Sequence, residues 1–144
     1  MATVSLSLDE IYKLANKTLL ANGCDQETAD ILSELITNAE RDGSLSHGLF
    51  RLPAYVSGLK SGKINGKQKP DIKKLTPSVI KADGKNCLAP DVLNKSIPEL
   101  VKAAKENGVA VLAIINSHHM AAMWPETEKI AEEGLVAFAC TSYK

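Results

Sequence analysis

Apolar residues recur at helical spacing through the first 42 residues and predict two helices joined by a short turn. Ser7 and Glu10 stand at the first and fourth positions of a capping box, and apolar side chains follow every three or four residues until Gly23. A second amphipathic stretch begins after Asp25, a strong N-cap residue, and ends at about Asp42. The pattern therefore predicts an N-terminal helical hairpin.

The middle of the chain is less regular. Ser46 is well placed to cap a third helix, although Pro53 indicates a kink or a late start. The stretch 60–74 carries six lysines among Gly, Asn, Gln and Pro, which is typical of a solvated connecting loop. Residues 78–84 then have the pattern of a short strand that ends in an Asp-Gly turn.

Helical spacing returns at 89–107, and Pro98 inside this stretch predicts a break into two helices. Residues 109–115 form a continuous apolar, β-branched run, which is typical of a strand covered on both faces. The sequence thus alternates between a helix and a buried strand in this part of the chain.

A helix over 126–133 and a second buried strand over 135–140 follow. Together with the preceding strand they would make a βαβ unit, in which ligands bind beyond the carboxyl ends of the strands. The loop 116–125 would lie at that position. The chain stops soon after the last strand, where a parallel sheet would need further elements to cover it, and this indicates an incomplete protein.

These elements predict an α/β fold in which a helical hairpin precedes a non-Rossmann α/β unit, incomplete in extent. The expected division is a helical segment over 1–62 and an α/β segment over 63–144. No Gly-x-Gly-x-x-Gly sequence follows a strand, so the usual dinucleotide fingerprint is absent. Any cofactor must be held in another way.

Composition excludes several classes of protein. Lys and Arg (17) balance Asp and Glu (17), so the chain lacks the basic surplus that nucleic-acid binding requires. No secretory signal and no run of about 20 apolar residues occurs, which predicts a cytoplasmic protein without a membrane partner. The three cysteines are odd in number and far apart, which indicates neither a disulfide framework nor a zinc site.

Two segments, 41–51 and 116–125, contain all three histidines and most of the candidate chemistry. His47 and Arg51 are four residues apart and would share a helical face, with Ser46 close by. Arg offers a planar fork for a carboxylate, and His exchanges protons near neutral pH. From spacing alone the simpler interpretation is a helix N-terminus with a capping Ser and an exposed Arg.

The pair His118 and His119 does not predict a metal site, because adjacent side chains point apart and no carboxylate or Cys stands at a ligand spacing nearby. Two interpretations remain open. One of these histidines contacts a ligand at the loop tip, or it is satisfied by the backbone.

The motif Ser46-His47-Gly48-Leu49-Phe50-Arg51-Leu52-Pro53 resembles the malate/L-lactate dehydrogenase-like family, a non-Rossmann group of NAD(P)-dependent oxidoreductases. Within that family the loop Ser117-His118-His119-Met120-Ala121-Ala122-Met123-Trp124-Pro125 is similar to that of Δ1-piperideine-2-carboxylate/Δ1-pyrroline-2-carboxylate reductases. Met120 and Met123 depart from the aromatic and Leu residues of that loop.

The resemblance implies roles for single residues. His47 would be the proton donor, Ser46 its relay partner and Arg51 the clamp for the substrate carboxylate. The cofactor contacts would be His119, Met120, Ala121, Ala122 and Met123, so that the segment 63–144 would be a truncated cofactor and substrate domain. The implied cofactor is NADPH, with NADH as the alternative.

The resemblance also implies a reaction: hydride transfer to C2 of a cyclic 2-imino acid. The alternatives are an NAD(P)-dependent 2-hydroxy-acid dehydrogenase acting on malate, lactate or ureidoglycolate, and an inactive fragment of either enzyme. Family members are more than twice as long as this chain and usually form homodimers, so we expect a homodimer whose remaining cofactor contacts lie outside these 144 residues.

Overall fold

A computed structural model describes residues 4–118 and 121–141 of the protein. Within these ranges the chain forms a mixed α/β structure, as the sequence predicted. The elements in chain order are α1 (Leu8–Ala21), α2 (Gln26–Arg41), two short 3₁₀ turns (Leu45–His47 and Leu49–Arg51), α3 (Leu52–Lys60), β1 (Asp71–Thr76), β2 (Val79–Leu88), α4 (Ala89–Asn107), β3 (Val111–His118) and α5 (Trp124–Ala131).

The predicted helical hairpin is confirmed, including both of its N-caps. The Glu10 carboxylate accepts the Ser7 backbone N–H at 2.8 Å while the Ser7 hydroxyl accepts the Glu10 N–H, which completes the capping box. Asp25 accepts the N–H of Thr28 at 2.9 Å and starts α2. The facing sides of α1, α2 and α3 bury one apolar core, which includes Ala15, Leu19, Leu32, Ile36 and Tyr55.

The third helix begins late, as Pro53 indicated. Helix α3 starts at Leu52 with Pro53 in its first turn, where a proline needs no backbone partner. The prediction that Ser46 caps this helix is wrong, because Ser46 lies inside the first 3₁₀ turn. Two tight turns thus carry the chain from α2 to α3.

The three strands form one sheet in the order β1-β2-β3. Strands β1 and β2 are antiparallel, whereas β2 and β3 are parallel and are joined through α4. A βαβ unit is therefore present, but it is β2-α4-β3 rather than the predicted unit that would have used residues 135–140. Leu88 and His118 are paired at the carboxyl ends of its two parallel strands.

Strand β1 was not predicted, because residues 60–74 resemble a solvated loop. The strand lies at an edge of the sheet and most of its side chains are exposed, so no apolar alternation marks it. Lysines are common on such edges because they discourage pairing with another chain. Here Lys73 pairs with Asp71 at 2.7 Å and Lys74 with Glu99 at 3.3 Å.

The predicted strand over 135–140 is wrong. The chain has no regular secondary structure there, and Val136 and Phe138 are almost completely exposed. An extended segment becomes a strand only when a neighbour accepts its backbone hydrogen bonds, and none of the described residues does so for this segment. Strand β3 also differs from expectation, because α4 covers one face and leaves Val111 and Ile115 exposed on the other.

Two predicted breaks do not occur. Helix α4 continues through Pro98, which is exposed, so the carbonyl group that loses its partner can be hydrated. The predicted Asp-Gly turn at Gly84 is instead an irregularity within β2. Lys85 and Asn86 adopt positive φ angles, and the pairing with β3 resumes at Cys87.

The predicted domain division after residue 62 stays a prediction. Helices α1 to α3 precede that point and the sheet follows it, yet Ile64 and Leu88 belong to the same buried core as the helical hairpin. None of the helices in the described ranges combines the length and hydropathy that a membrane crossing needs.

Candidate functional site

His47 lies in the first 3₁₀ turn with its imidazole against two hydroxyl groups. The Nδ1 atom is 3.0 Å from Ser46 Oγ and 3.3 Å from Ser44 Oγ. A hydroxyl can donate a hydrogen bond to an unprotonated Nδ1 or accept one from a protonated Nδ1. The surroundings therefore suit both protonation states of the ring, as proton exchange requires.

Arg51 lies in the second 3₁₀ turn, next to this histidine. Its Nε donates to the backbone carbonyl of Ser46 at 2.9 Å, which ties the second turn to the first. Tyr55 is completely buried below, and burial raises the pKa of its hydroxyl to about 12 although the Arg51 charge opposes this shift. The predicted proximity of His47 and Arg51 is thus present, but two successive turns produce it instead of one helical face.

Gly48 connects the two turns at a point where a side chain has no room. A Cβ at this position would lie 2.7 Å from Cγ of Glu40, well inside van der Waals contact. The Glu40 carboxylate cannot easily move away, because its Oε1 accepts the backbone N–H of Leu49 at 2.7 Å. The glycine of the motif therefore lets the end of α2 approach and hold the second turn.

The second candidate segment follows β3. His118 ends that strand at the carboxyl edge of the parallel pair, where ligands of α/β proteins bind. His119 and Met120 lie outside the described residues. Ala121 and Ala122 are buried and Met123 is partly buried. Their predicted role as cofactor contacts is unaffected by this placement and stays a prediction.

Trp124 brings the two segments together. Its ring and the His47 ring make an edge-to-face contact, with centroids 6.3 Å apart and planes at 79°. Its Nε1 donates to the Asp42 carboxylate at 3.2 Å. The Arg41 guanidinium donates to both oxygens of that carboxylate, at 2.8 and 3.1 Å, and this pair, aided by the indole, lowers the pKa of Asp42.

An open cleft lies beside these groups. The side chains that line it include His47 and Arg51 from the first segment, Ser57 and Gly58 from α3, His118 from β3, and Ala121 to Trp124 from the second segment. The described residues contain no group of three or more His, Cys, Asp or Glu side chains that could hold a metal ion. The cleft thus brings the His47 imidazole and the Arg51 guanidinium to one surface, with a second imidazole from His118.

Sequence reasoning missed three residues of this site. Ser44 stands three residues before His47, a spacing that brings side chains together in a 3₁₀ turn, so the signal existed but required knowledge of the turn. The sequence around Glu40 and Asp42 gave no indication of the contacts that these residues make. Their partners, Leu49 and Trp124, are 9 and 82 residues away along the chain.

The fold and the cleft together define an α/β protein with an imidazole and a guanidinium in one cleft near the carboxyl end of a parallel strand pair. Comparison with known proteins gives the family. The sequence matches the malate/L-lactate dehydrogenase family over residues 6–144, and the chain belongs to that family. The resemblance inferred from residues 46–53 is thereby confirmed.

Individual relatives are similar over nearly the whole chain. Δ1-Pyrroline-2-carboxylate reductase from Ancylobacter novellus is 41% identical over 138 residues, which are 96% of this chain and 40% of that protein. The crystal structure of Δ1-piperideine-2-carboxylate reductase from Pseudomonas syringae pathovar tomato superposes with a TM-score of 0.87 at 39% identity, covering 92% of this chain and 40% of that one. Malate dehydrogenase from Pyrococcus horikoshii superposes with a TM-score of 0.85 at 29% identity, covering 91% and 38%. The chain therefore spans about two fifths of the length of the relatives it matches.

Proposed function

We propose that the protein containing this chain is a nicotinamide-dependent oxidoreductase that reduces a cyclic 2-imino acid, Δ1-piperideine-2-carboxylate or Δ1-pyrroline-2-carboxylate. The observation that carries the proposal is the pairing of His47 with two hydroxyls beside Arg51 in one cleft. The names of the similar reductases from Ancylobacter novellus and Pseudomonas syringae support the choice of substrate.

Arg51 would bind the substrate carboxylate. Within the described residues its guanidinium donates one hydrogen bond, from Nε to the Ser46 carbonyl, which leaves its other N–H groups to form a charge-assisted pair with a carboxylate. Such a hydrogen bond to a charged group contributes about 1.5–3 kcal/mol. This contact would orient the imine carbon and nitrogen relative to His47.

His47 would supply the proton. Reduction of the imine adds a hydride to C2 and a proton to the ring nitrogen, and the C=N double bond becomes a single bond. The imidazolium would donate the proton of Nε2 in this step while the Ser46 and Ser44 hydroxyls accept the N–H of Nδ1, which the neutral ring retains afterwards. Ser46 thus serves as the relay partner that keeps the ring satisfied before and after the transfer.

The nicotinamide cofactor supplies the hydride when it is bound. The residues of the cleft fit a flat ring, because the side chains of Ala121 and Ala122 in its lining are small. His119, Met120 and Met123 complete the set of residues that we propose to contact it. The preferred form is NADPH, with NADH as the alternative.

The test is the rate of NADPH oxidation by the polypeptide that the complete reading frame around these 144 residues encodes. Turnover should be selective for Δ1-piperideine-2-carboxylate over pyruvate and oxaloacetate. Turnover with the oxo acids alone would replace the proposal by a 2-hydroxy-acid dehydrogenase, which the likeness to the Pyrococcus horikoshii malate dehydrogenase makes the second candidate. Absence of turnover with all three acids and both cofactors would refute the two candidates together.

Two wider expectations accompany the proposal. A homodimer should be seen by size-exclusion chromatography with light scattering, and a monomer would contradict it. We also propose a cytoplasmic location, which cell fractionation tests.

A further inference from the structure

Resting on the proposed role of His47, we propose that Trp124, fixed by Asp42, is a positioning residue that holds the His47 imidazole in its reactive orientation. Two contacts of Trp124 carry this inference. Its ring contacts the His47 ring, and its Nε1 is hydrogen-bonded to the charged Asp42 carboxylate.

The 3₁₀ turn that carries His47 is short. It contains three residues, and no side-chain hydrogen bond from its N-cap residue supports it. The side chain of His47 is partly exposed beside an open cleft. Its hydroxyl partners lie at Nδ1, on one edge of the ring. The Trp124 ring adds a contact of a different kind, because it meets the imidazole edge to face at 79° and so restricts rotation of the imidazole plane.

The Trp124 side chain is itself held by a residue that does not line the cleft. Its Nε1 donates to Asp42 Oδ2, at the C-cap of α2. Arg41 donates two hydrogen bonds to the same carboxylate and so favours the orientation in which Asp42 accepts from the indole. The chain of contacts Arg41–Asp42–Trp124–His47 thus transmits the fixed position of the end of α2 to the imidazole.

A purely structural role of Trp124 would be to hold α5 against α2. The structure offers a matched control for that role. Lys129 of α5 lies 3.6 Å from Glu34 of α2, an ion pair that does not involve His47. The substitution Lys129→Met removes this second contact between α5 and α2 and leaves Trp124 in place. If Trp124 only fastens the helix, both kinds of variant should behave alike.

The experiment compares five variants in the full-length protein with Δ1-piperideine-2-carboxylate and NADPH: Trp124→Leu, Asp42→Ala, Asp42→Asn, Lys129→Met and His47→Ala. We expect Trp124→Leu and Asp42→Ala to lower kcat by ~10- to 100-fold, the scale of a misplaced catalytic group, with little change in KM. Asp42→Asn keeps an acceptor for the indole N–H and should recover most of the lost kcat. Lys129→Met should match wild type.

A second measurement does not depend on turnover. With 13C-labelled histidine, the ring-proton resonances of His47, assigned through the His47→Ala variant, should move in Trp124→Leu and Asp42→Ala because the indole ring current is lost or displaced. They should stay in place in Lys129→Met. Unmoved His47 resonances in Trp124→Leu would overturn the inference whatever the activity.

The outcomes separate the two proposals. Loss of activity in His47→Ala together with unchanged kcat in Trp124→Leu and Asp42→Ala would overturn the positioning role and leave the proposed function standing. Full activity in His47→Ala would remove the proton-donor role on which both depend. Equal losses of kcat in Lys129→Met and Trp124→Leu would show that Trp124 only holds α5 against α2.

Discussion

The substitution Gly48→Ala tests whether the motif glycine is required for packing. The added methyl would lie 2.7 Å from Glu40 Cγ, so the Glu40 side chain would have to leave. Its departure breaks the hydrogen bond from the Leu49 N–H, which is 2.7 Å long and partly buried. Hydrogen bonds to charged groups contribute about 1.5–3 kcal/mol, and we expect the free energy of unfolding to fall by that amount.

Urea denaturation followed by circular dichroism measures this loss, and the fall in Tm should be about 5–10 °C for a chain of this length. The matched background is Glu40→Ala, which removes the obstructing side chain as well as the acceptor. In that background Gly48→Ala should cost much less than it does in wild type, giving a coupling free energy of about 1 kcal/mol or more. An equal cost in both backgrounds would refute the reasoning, because the methyl group would then be excluded by something other than Glu40.

Three further predictions concern the chemistry, the buried charge and the core. His47→Ala should lower kcat by ~10²–10⁴ while Arg51→Ala chiefly raises KM, and steady-state kinetics with normal values for either variant would contradict its assigned role. Burial raises the pKa of the Asp91 carboxyl in the folded chain, so its contribution to stability is present below about pH 4 and is lost as the pH rises through the folded pKa. Urea titrations should therefore show wild type losing stability relative to Asp91→Asn as the pH rises, and the opposite trend would count against this. Leu32→Ala, at a fully buried site, should cost about 2–5 kcal/mol, whereas Leu14→Ala on the exposed side of α1 should change stability by only about 0.5 kcal/mol.

The helical hairpin could be predicted from the sequence because its determinants are local. The capping box at Ser7 and the N-cap at Asp25 act within one turn, and the apolar stripes repeat with the helical period. The family could be predicted for a similar reason, since Ser46, His47 and Arg51 lie within six residues. Both conclusions needed only the order of residues along a short stretch.

The errors fall where tertiary contacts decide the structure. Strand β1 exists because β2 pairs with it, and its lysines hide the alternation that would reveal it. Residues 135–140 carry the apolar pattern of a strand, yet nothing in the described chain pairs with them. Periodicity reports which residues can form a strand, whereas pairing decides which of them do.

The candidate site shows the same division between local and distant determinants. The motif names the reactive groups, but residues outside it fix their geometry: Glu40 holds the second 3₁₀ turn, and Asp42 holds the indole that touches His47. Both carboxylates stand at the C-terminal end of α2. This helix is firmly packed, because its own residues Leu32 and Ile36 are fully buried. Short turns have little rigidity of their own, so a precise site can be built on them only when a packed element restrains them. This is why the variants at Glu40 and Asp42, which touch neither cofactor nor substrate in our proposal, should alter the site although both residues lie outside the motif.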